Sequence, residues 1–389
     1  MNRSTSLLLN AAHTLDHLVL LIFASAVSVI AIEFGFANWE DLMPYTAGAF
    51  LMFGIGSIPS GRLGDLWGRR KMMVLYFFGL AASCGLVALT QNAWQIAAAL
   101  TLMGLFASIY HPVGIPMLLR HAAKPGLVIG WNNLAGNMGI ALAALFTGLA
   151  IKYFGWRAAF WLAALLSIAL GLFFMKVCPT ESEPAGKRKA SGASLPRDLV
   201  IRALVVMTTA ATSGAILFNF TTNSNAELLK VKFDQVVTDP AVLGFLLAGV
   251  YAVAAFSQVA AGWLLDRVAL KKLFMTIVSF QIAFLLAASQ TTGWLYLVFS
   301  LGFMAAIFGA IPFVDAVIVR YVDDSMRSRA TGMRIAITFG VSSLAVYLIG
   351  PTVKSFGFDT MLLVMAALAC FTIAAMSRLP SDTATEQTR

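Results

Sequence analysis

Long apolar blocks, each about the length of a bilayer-crossing helix and separated by short polar joints, constrain this chain more than any other feature. About 20 apolar residues span a hydrocarbon core of roughly 30 Å as a helix. No water reaches that depth, so every backbone amide must be satisfied within its own helix or a closed barrel. The blocks are too long and too uniformly apolar for alternating barrel strands. Composition agrees: 59% of the 389 residues are hydrophobic and 12% charged, against roughly 25% charged in soluble domains. The sequence predicts twelve spans, near 11–33, 44–62, 71–90, 94–119, 127–150, 156–177, 200–222, 240–263, 271–290, 293–319, 329–351 and 358–377.

The net charge of +9 is unevenly placed. With both termini in the cytoplasm, only Lys152, Arg157, Lys230, Lys232 and Lys354 of the 27 basic residues fall outside. That asymmetry is the positive-inside rule. It makes the lipid bilayer the partner, leaves no need for nucleic acid, and predicts a multi-pass protein of the bacterial inner (plasma) membrane. Arg3, an apolar run and Ala24-Ser25-Ala26 imitate a secretory signal with its cleavage site. His13, Asp16 and His17 interrupt that run, so it reads as a retained first span. Cys84, Cys178 and Cys370 are far apart with no CxxC pair, so neither a disulfide framework nor a zinc site follows. No metal and no cofactor are expected. There is no HExxH, no GxSxG and no catalytic carboxylate pair, which argues against an enzyme and leaves no catalytic residue to name.

The only long polar segment, 178–199, has the composition of a flexible linker and divides six spans (1–177) from six (200–389). The halves are repeats. Asp65 follows span 2 and Asp266 follows span 8, 201 residues later. Pro112 precedes Arg120 by eight residues near the end of span 4, and Pro312 precedes Arg320 by eight in span 10. Lys152 and Gly155 after span 5 match Lys354 and Gly357 after span 11, at an offset of 202. Several ordered matches at nearly constant offset indicate duplication. The fold class expected is an all-α membrane protein of two pseudo-symmetric six-helix bundles. Such repeats place a binding site between them near the midplane, exposed to either side by rocking.

Gly61, Asp65, Gly68, Arg69 and Arg70 resemble the signature loop between helices 2 and 3 of the major facilitator superfamily, with a degenerate second copy at Gly262 to Arg267. The resemblance covers essentially the whole chain and implies that fold. It also implies a gating role: Asp65 and Arg69 would clasp the halves on the cytoplasmic side when the cavity faces outward, with Asp266 and Arg267 in the second copy. The bland alternative is that the arginines only set topology. A narrower resemblance, to fosmidomycin-resistance-type efflux proteins, rests on His13-Thr14-Leu15-Asp16, Tyr110-His111-Pro112 and Arg120-His121. The glycine–proline pair of antiporter span 5 is missing, with Gly136-Asn137-Met138-Gly139 in its place, and span 4 lacks the mid-helix arginine of drug–proton antiporters.

Ionisable groups inside a membrane cost about 2.5–3.5 kcal/mol even on insertion scales, which makes them functional suspects. Asp16 lies about five residues into the expected span 1, and His13 shares a helix face with both Asp16 and His17. Either Asp16, with His13 and His17, carries a coupling proton, or the three cap the end of span 1. His111 either contacts substrate or passes protons, or it bonds a carbonyl freed by Pro112. Asp315 in span 10 faces Ile115 in the repeat, and Arg334 occupies the repeat position of Asn132. The two are expected to pair, as pure structure or as a gate that breaks during the cycle. Asn132, Asn133, Asn137 and Asn219 are candidate substrate contacts or helix–helix glue, and Asp315 is a further candidate substrate contact. Glu33 and Glu227 are expected to be solvated.

These readings converge on a secondary transporter, a functional monomer that exchanges protons for a small-molecule substrate. Export of an organic molecule or drug leads. A metabolite–proton symporter and a transporter-derived sensor or scaffold are the alternatives.

Overall fold

The computed structural model describes residues 3–119, 125–179, 197–265, 267–321 and 324–379. Most of the 178–199 linker, Arg120, His121, Asp266 and the side chains of Asp65, Asp315, Arg320 and Arg334 lie outside the described residues.

The described residues are almost entirely helical and cross the bilayer twelve times. The first half comprises α1 (Arg3–Glu33), α2 (Ala47–Trp67), α3 (Arg69–Ala88), α4 (Ala93–Ala107, continuing as Ile115–Leu119), α5 (Pro125–Phe154) and α6 (Trp156–Val177). The second comprises α7 (Arg197–Phe233), α8 (Pro240–Leu265), α9 (Leu270–Ser289), α10 (Gly293–Gly309, continuing as Ile311–Tyr321), α11 (324–356) and α12 (358–376). Gly357, at φ 73 and ψ 168, turns one long apolar stretch into the last two crossings. Its repeat mate Gly155 (φ 85) makes the same turn between α5 and α6. Side chains rarely adopt that conformation, so glycine is needed at both places.

Proline marks the second shared device. Pro112 has no N–H to donate, and α4 widens into a π-helical turn at Tyr110–Gly114 before resuming. Its repeat mate Pro312 stands one residue into the second segment of α10, after a break at Ala310.

The halves meet through α2 with α11, α5 with α8, and α1 with α7. Exchanging the halves turns the first pair into the second and leaves the third unchanged, as an approximate twofold requires. A side chain at Gly148 would strike the carbonyl of Pro240, and one at Gly350 the carbonyl of Glu40. Beside these contacts, Lys152 bonds Asp239 at 2.6 Å and Lys354 bonds Asp41 at 2.6 Å. The two clasps are repeat images of each other. They lie on the face opposite the chain ends, here called the distal face.

All five basic residues that depart from the charge asymmetry are neutralised on this face. Arg157 pairs with Glu33, Lys230 with Glu227 at 2.7 Å, and Lys232 with Asp359 at 2.6 Å. Glu227 corrects one expectation: it is buried, at 4% exposure, rather than solvated. Lys230, one turn along, bonds it and also reaches Ser28 of α1 at 2.6 Å.

Two helices also run longer than expected. α1 begins at Arg3, so Asp16 lies thirteen residues in, about 20 Å along the axis at 1.5 Å per residue, rather than near the entrance. α7 continues to Phe233 through a polar run that had marked its end. Within it Thr221, Thr222, Asn223 and Ser224 return hydrogen bonds to carbonyls four residues back, so the run stays helical and dry.

Asp239 precedes α8, and the hydrogen bond from Lys152 holds its carboxyl below the usual carboxylate range. A lowered folded-state value keeps a contact intact above that range and loses it as pH falls through it. Alkylation of a cysteine placed at Ser25, in the crevice beneath this clasp, is taken relative to an unhindered thiol at the same pH, so that the falling thiolate fraction cancels. That ratio should therefore be low and flat between about pH 8 and pH 5 and rise only below about pH 4. At neutral pH, Lys152→Glu with Lys354→Glu should raise that rate several-fold. Adding Asp239→Lys and Asp41→Lys should return it towards the starting value.

Candidate functional site

The inner wall of the first half carries a polar cluster built by α1, α3, α4 and α5. Thr14 Oγ1 donates to the Ala135 carbonyl at 2.8 Å. A side chain at Gly139 would collide with the Thr14 carbonyl, so α1 and α5 approach backbone to backbone. Gly136, one turn earlier, leaves room for the His13 ring: a Cβ there would lie 2.6 Å from its Cε1. The glycines standing where antiporters carry a glycine–proline pair thus seat the imidazole.

His13 is almost fully buried, at 3% exposure. Its Nδ1 donates to the Asn132 carbonyl at 2.7 Å, which fixes the tautomer because that oxygen can only accept. Neutral His13 then presents the lone pair of Nε2 to His17, whose Nε2 donates from 3.1 Å. Tyr110 stacks on the His13 ring at 4.7 Å and 21°, and His111 meets it edge-on at 5.0 Å and 87°. The widened turn of α4 places these two consecutive residues against α1. Asn132 closes the network, donating to Asn10 at 2.9 Å and to the Tyr110 hydroxyl at 2.6 Å. The Tyr110 hydroxyl in turn donates to the Leu9 carbonyl at 2.8 Å, and Tyr76 of α3 to the Ala12 carbonyl at 2.7 Å.

Asp16 sits inside this cage at 0% exposure, and neither carboxyl oxygen has a hydrogen-bond partner. The Nε2 of His111 lies 3.8 Å from Oδ2. A carboxylate in that setting is costly unless balanced. Two neutral arrangements exist for the couple, an acid facing a neutral imidazole and a carboxylate facing an imidazolium. They hold the same number of protons and differ only in which partner carries the shared one. Losing it leaves the couple with one negative charge.

The structure therefore brings Asp16, His13, His17, His111 and Asn132 together. Asn137 lies one turn beyond Asn133 on α5, with a buried Nδ2 that has no hydrogen-bond partner, while Asn133 is half-buried. Asn219 belongs elsewhere, donating to Ser342 Oγ at 2.8 Å within the second half. The predicted Asp315–Arg334 pair lies outside the described side chains. Sequence reasoning missed Asn10, Tyr76, Phe53 and Phe339. Phe53 of α2 stacks edge-on with Phe339 of α11 at 4.6 Å and with His111 at 5.7 Å, so the second half touches the cluster through one aromatic ring. Only Asn10, one turn before His13, carried a signal, as a polar residue in an apolar run.

The family model described as the Major Facilitator Superfamily matches residues 9–231 and again 203–389. The chain belongs to this superfamily. The tetracenomycin C resistance and export protein of Streptomyces glaucescens is 27% identical over 155 residues, which covers 38% of this chain and 28% of that protein. Multidrug resistance protein MdtG of Enterobacter lignolyticus is 25% identical over 341 residues, covering 83% of this chain and 78% of its own. The fold is shared with a D-xylose–proton symporter (TM-score 0.77, 13% identity, 96% of each chain). It is shared too with a bacterial homologue of the human lysosomal transporter Spinster (TM-score 0.73, 15% identity, 99% of this chain and 96% of that one).

In this facilitator the signature loop is more than a topology signal. Gly68, at φ 94, makes the joint between α2 and α3. Arg70 donates to the carbonyls of Cys178 at 2.8 Å and Met175 at 2.7 Å, tying α3 to the end of α6 within one half. Gly61 packs α2 against Pro112, with a Cβ position 3.3 Å from the proline ring. Arg69 is half-buried. In the degenerate copy Arg267 lies over the Trp263 ring at 3.9 Å and donates to its carbonyl at 2.8 Å.

Gly136→Ala should destabilise the protein by about 1–3 kcal/mol through overpacking against His13. In thermal unfolding of detergent-purified protein its midpoint should drop by several degrees. Gly249→Ala, where no atom lies within 4 Å of the new methyl, should leave it unchanged or slightly higher.

Proposed function

We propose that this protein is a proton-coupled secondary active transporter that exports a small organic molecule by alternating access, with Asp16 as the proton carrier. The observation that carries the reading is a fully buried carboxyl with no well-formed hydrogen bond, 3.8 Å from an imidazole on the neighbouring helix. The Tyr76 hydroxyl is close to it but donates instead to the Ala12 carbonyl. Five titratable groups surround or face it: His111 and Tyr110 from α4, Tyr76 from α3, and His13 and His17 from its own helix. Among the described residues α5 adds only the amides of Asn132, Asn133 and Asn137 here. A proton arriving on His111 passes to Asp16 without leaving a net charge in the cage. Moving it on requires that His111 shift, and the widened turn before Pro112 gives α4 the freedom to do so.

Export is favoured by the two efflux names among the relatives, a tetracenomycin C export protein and a multidrug resistance protein. The charge asymmetry supports placing the chain ends in the cytoplasm, so the distal clasps close the outer side and the cluster faces inward. We take residues 1–177 and 200–389 as the rocking units and 178–199 as their tether. Asp65, Arg69, Asp266, Arg267, Asp315 and Arg334 are assigned to the inner gate, which forms when the distal clasps open. Asn133 and Asn137, on the α5 wall beside the cluster, are the first candidates for substrate contact.

The test is purified protein in liposomes under an imposed pH gradient, screened with antibiotics and metabolites while lumenal pH is recorded. Wild type should accumulate substrate with matching proton flux. Asp16→Asn should lose accumulation, at least tenfold, and keep substrate exchange. Transport without proton flux in wild type and Asp16→Asn alike would refute the coupling, and uptake driven by proton entry in the same direction would make the protein an importer.

A further inference from the structure

His13, His17 and His111 each offer one ring nitrogen, and the three lie within 4.8 Å of one another. Handing one proton to Asp16 needs a single imidazole. Three converging imidazoles are the donor set of a metal site, and the cluster has further features of one.

Two of the donors stand at i and i+4 on α1, the spacing that puts a pair of histidines on one helix face for a shared ion. Their Nε2 atoms are 3.1 Å apart. A tetrahedral ion bonded at 2.0–2.1 Å holds its ligand atoms about 3.4 Å apart, so this pair is already at bridging distance, and an ion would replace the proton now shared between them. The Nδ1 of His13 is committed to the Asn132 carbonyl. Ligating histidines are usually oriented in this way by a backbone acceptor behind them. His111, from α4, completes the triad at a turn that is not locked in α-helical geometry. Asp16 lies 3.8 Å from the Nε2 of His111, wholly buried and with no well-formed hydrogen bond. It supplies the negative charge that a dication in an apolar wall requires, or a fourth ligand atom. His17 and His111 are both half-buried, so the cluster has an open side.

We propose that His13, His17 and His111, backed by Asp16, bind a divalent transition-metal ion of the Zn2+ class. Imidazole donors select zinc, copper, nickel, cobalt or iron over magnesium and calcium, which prefer oxygen. With three protein nitrogens, a fourth position remains for Asp16 or for an exchangeable small ligand. The sequence alone gave no hint of this, because the third donor lies 94 residues from the second. The site shares His111 and Asp16 with the proposed proton path, so a bound ion would compete with the proton there, but its existence depends on neither direction nor coupling.

The experiment uses the full-length protein, purified in detergent without a histidine tag and titrated with Co2+ under visible absorption. Wild type should bind close to one equivalent with the intense d–d bands of a four-coordinate ion, and Zn2+ should bleach them. His17→Gln and His111→Gln should each weaken Co2+ binding at least tenfold and abolish those bands. His121→Gln, which changes the remaining histidine, should bind like wild type. Size exclusion and thermal unfolding report folding. If His111→Gln fails to fold, the half-exposed His17→Gln decides alone. Absence of bound Co2+ in wild type overturns the proposal, as does binding that survives both substitutions or that falls equally in His121→Gln. The liposome assay keeps the two proposals apart. Coupled transport by a protein that binds no Co2+ overturns only the metal site, and Co2+ binding by a protein that moves no protons overturns only the coupling.

Discussion

Hydrocarbon cannot hydrate a polar group, and that constraint orders nearly everything in this molecule. Backbone amides are spent inside twelve helices, and buried hydroxyls return to carbonyls four residues behind them, as along α7. Each of the five basic residues on the distal face has an acidic partner. Against that background Asp16 stands out as a wholly buried carboxyl with no well-formed hydrogen bond, the kind of group that marks a functional candidate inside a membrane. The neighbouring Asn132–Tyr110–Asn10 network has the opposite character. It is nearly complete, and it fixes the His13 ring and its tautomer.

The repeat was legible in the sequence because it is carried by residues with irreplaceable backbone properties. Gly155 and Gly357 both turn the chain at positive φ, and Pro112 and Pro312 both interrupt a helix. Lys152 and Lys354 were visible as matched loop ends, but their partners were not. Asp239 and Asp41 belong to the other half in each case, and a contact across 87 or 313 residues leaves no local trace.

The site was half legible. His13, Asp16 and His17 announce themselves as polar residues within an apolar run, and Tyr110-His111-Pro112 as a break in one. Tyr76 and the ring pair Phe53–Phe339 are indistinguishable in sequence from ordinary packing residues. Helix ends failed where hydropathy and helicity part company. The first turns of α1 and the polar end of α7 are helical without being apolar, because side chains and neighbouring helices satisfy what the lipid cannot.

The two matched clasps also say something about how hard this machine is to open. Each is a partly exposed ion pair, and such pairs add little to stability, since water takes over the charges once they part. A latch of that kind selects one closed geometry while adding little to the barrier against leaving it. Placed as twofold images, the two would have to release together in any motion that parts α2 from α11 and α5 from α8, so the distal face is latched as a single unit.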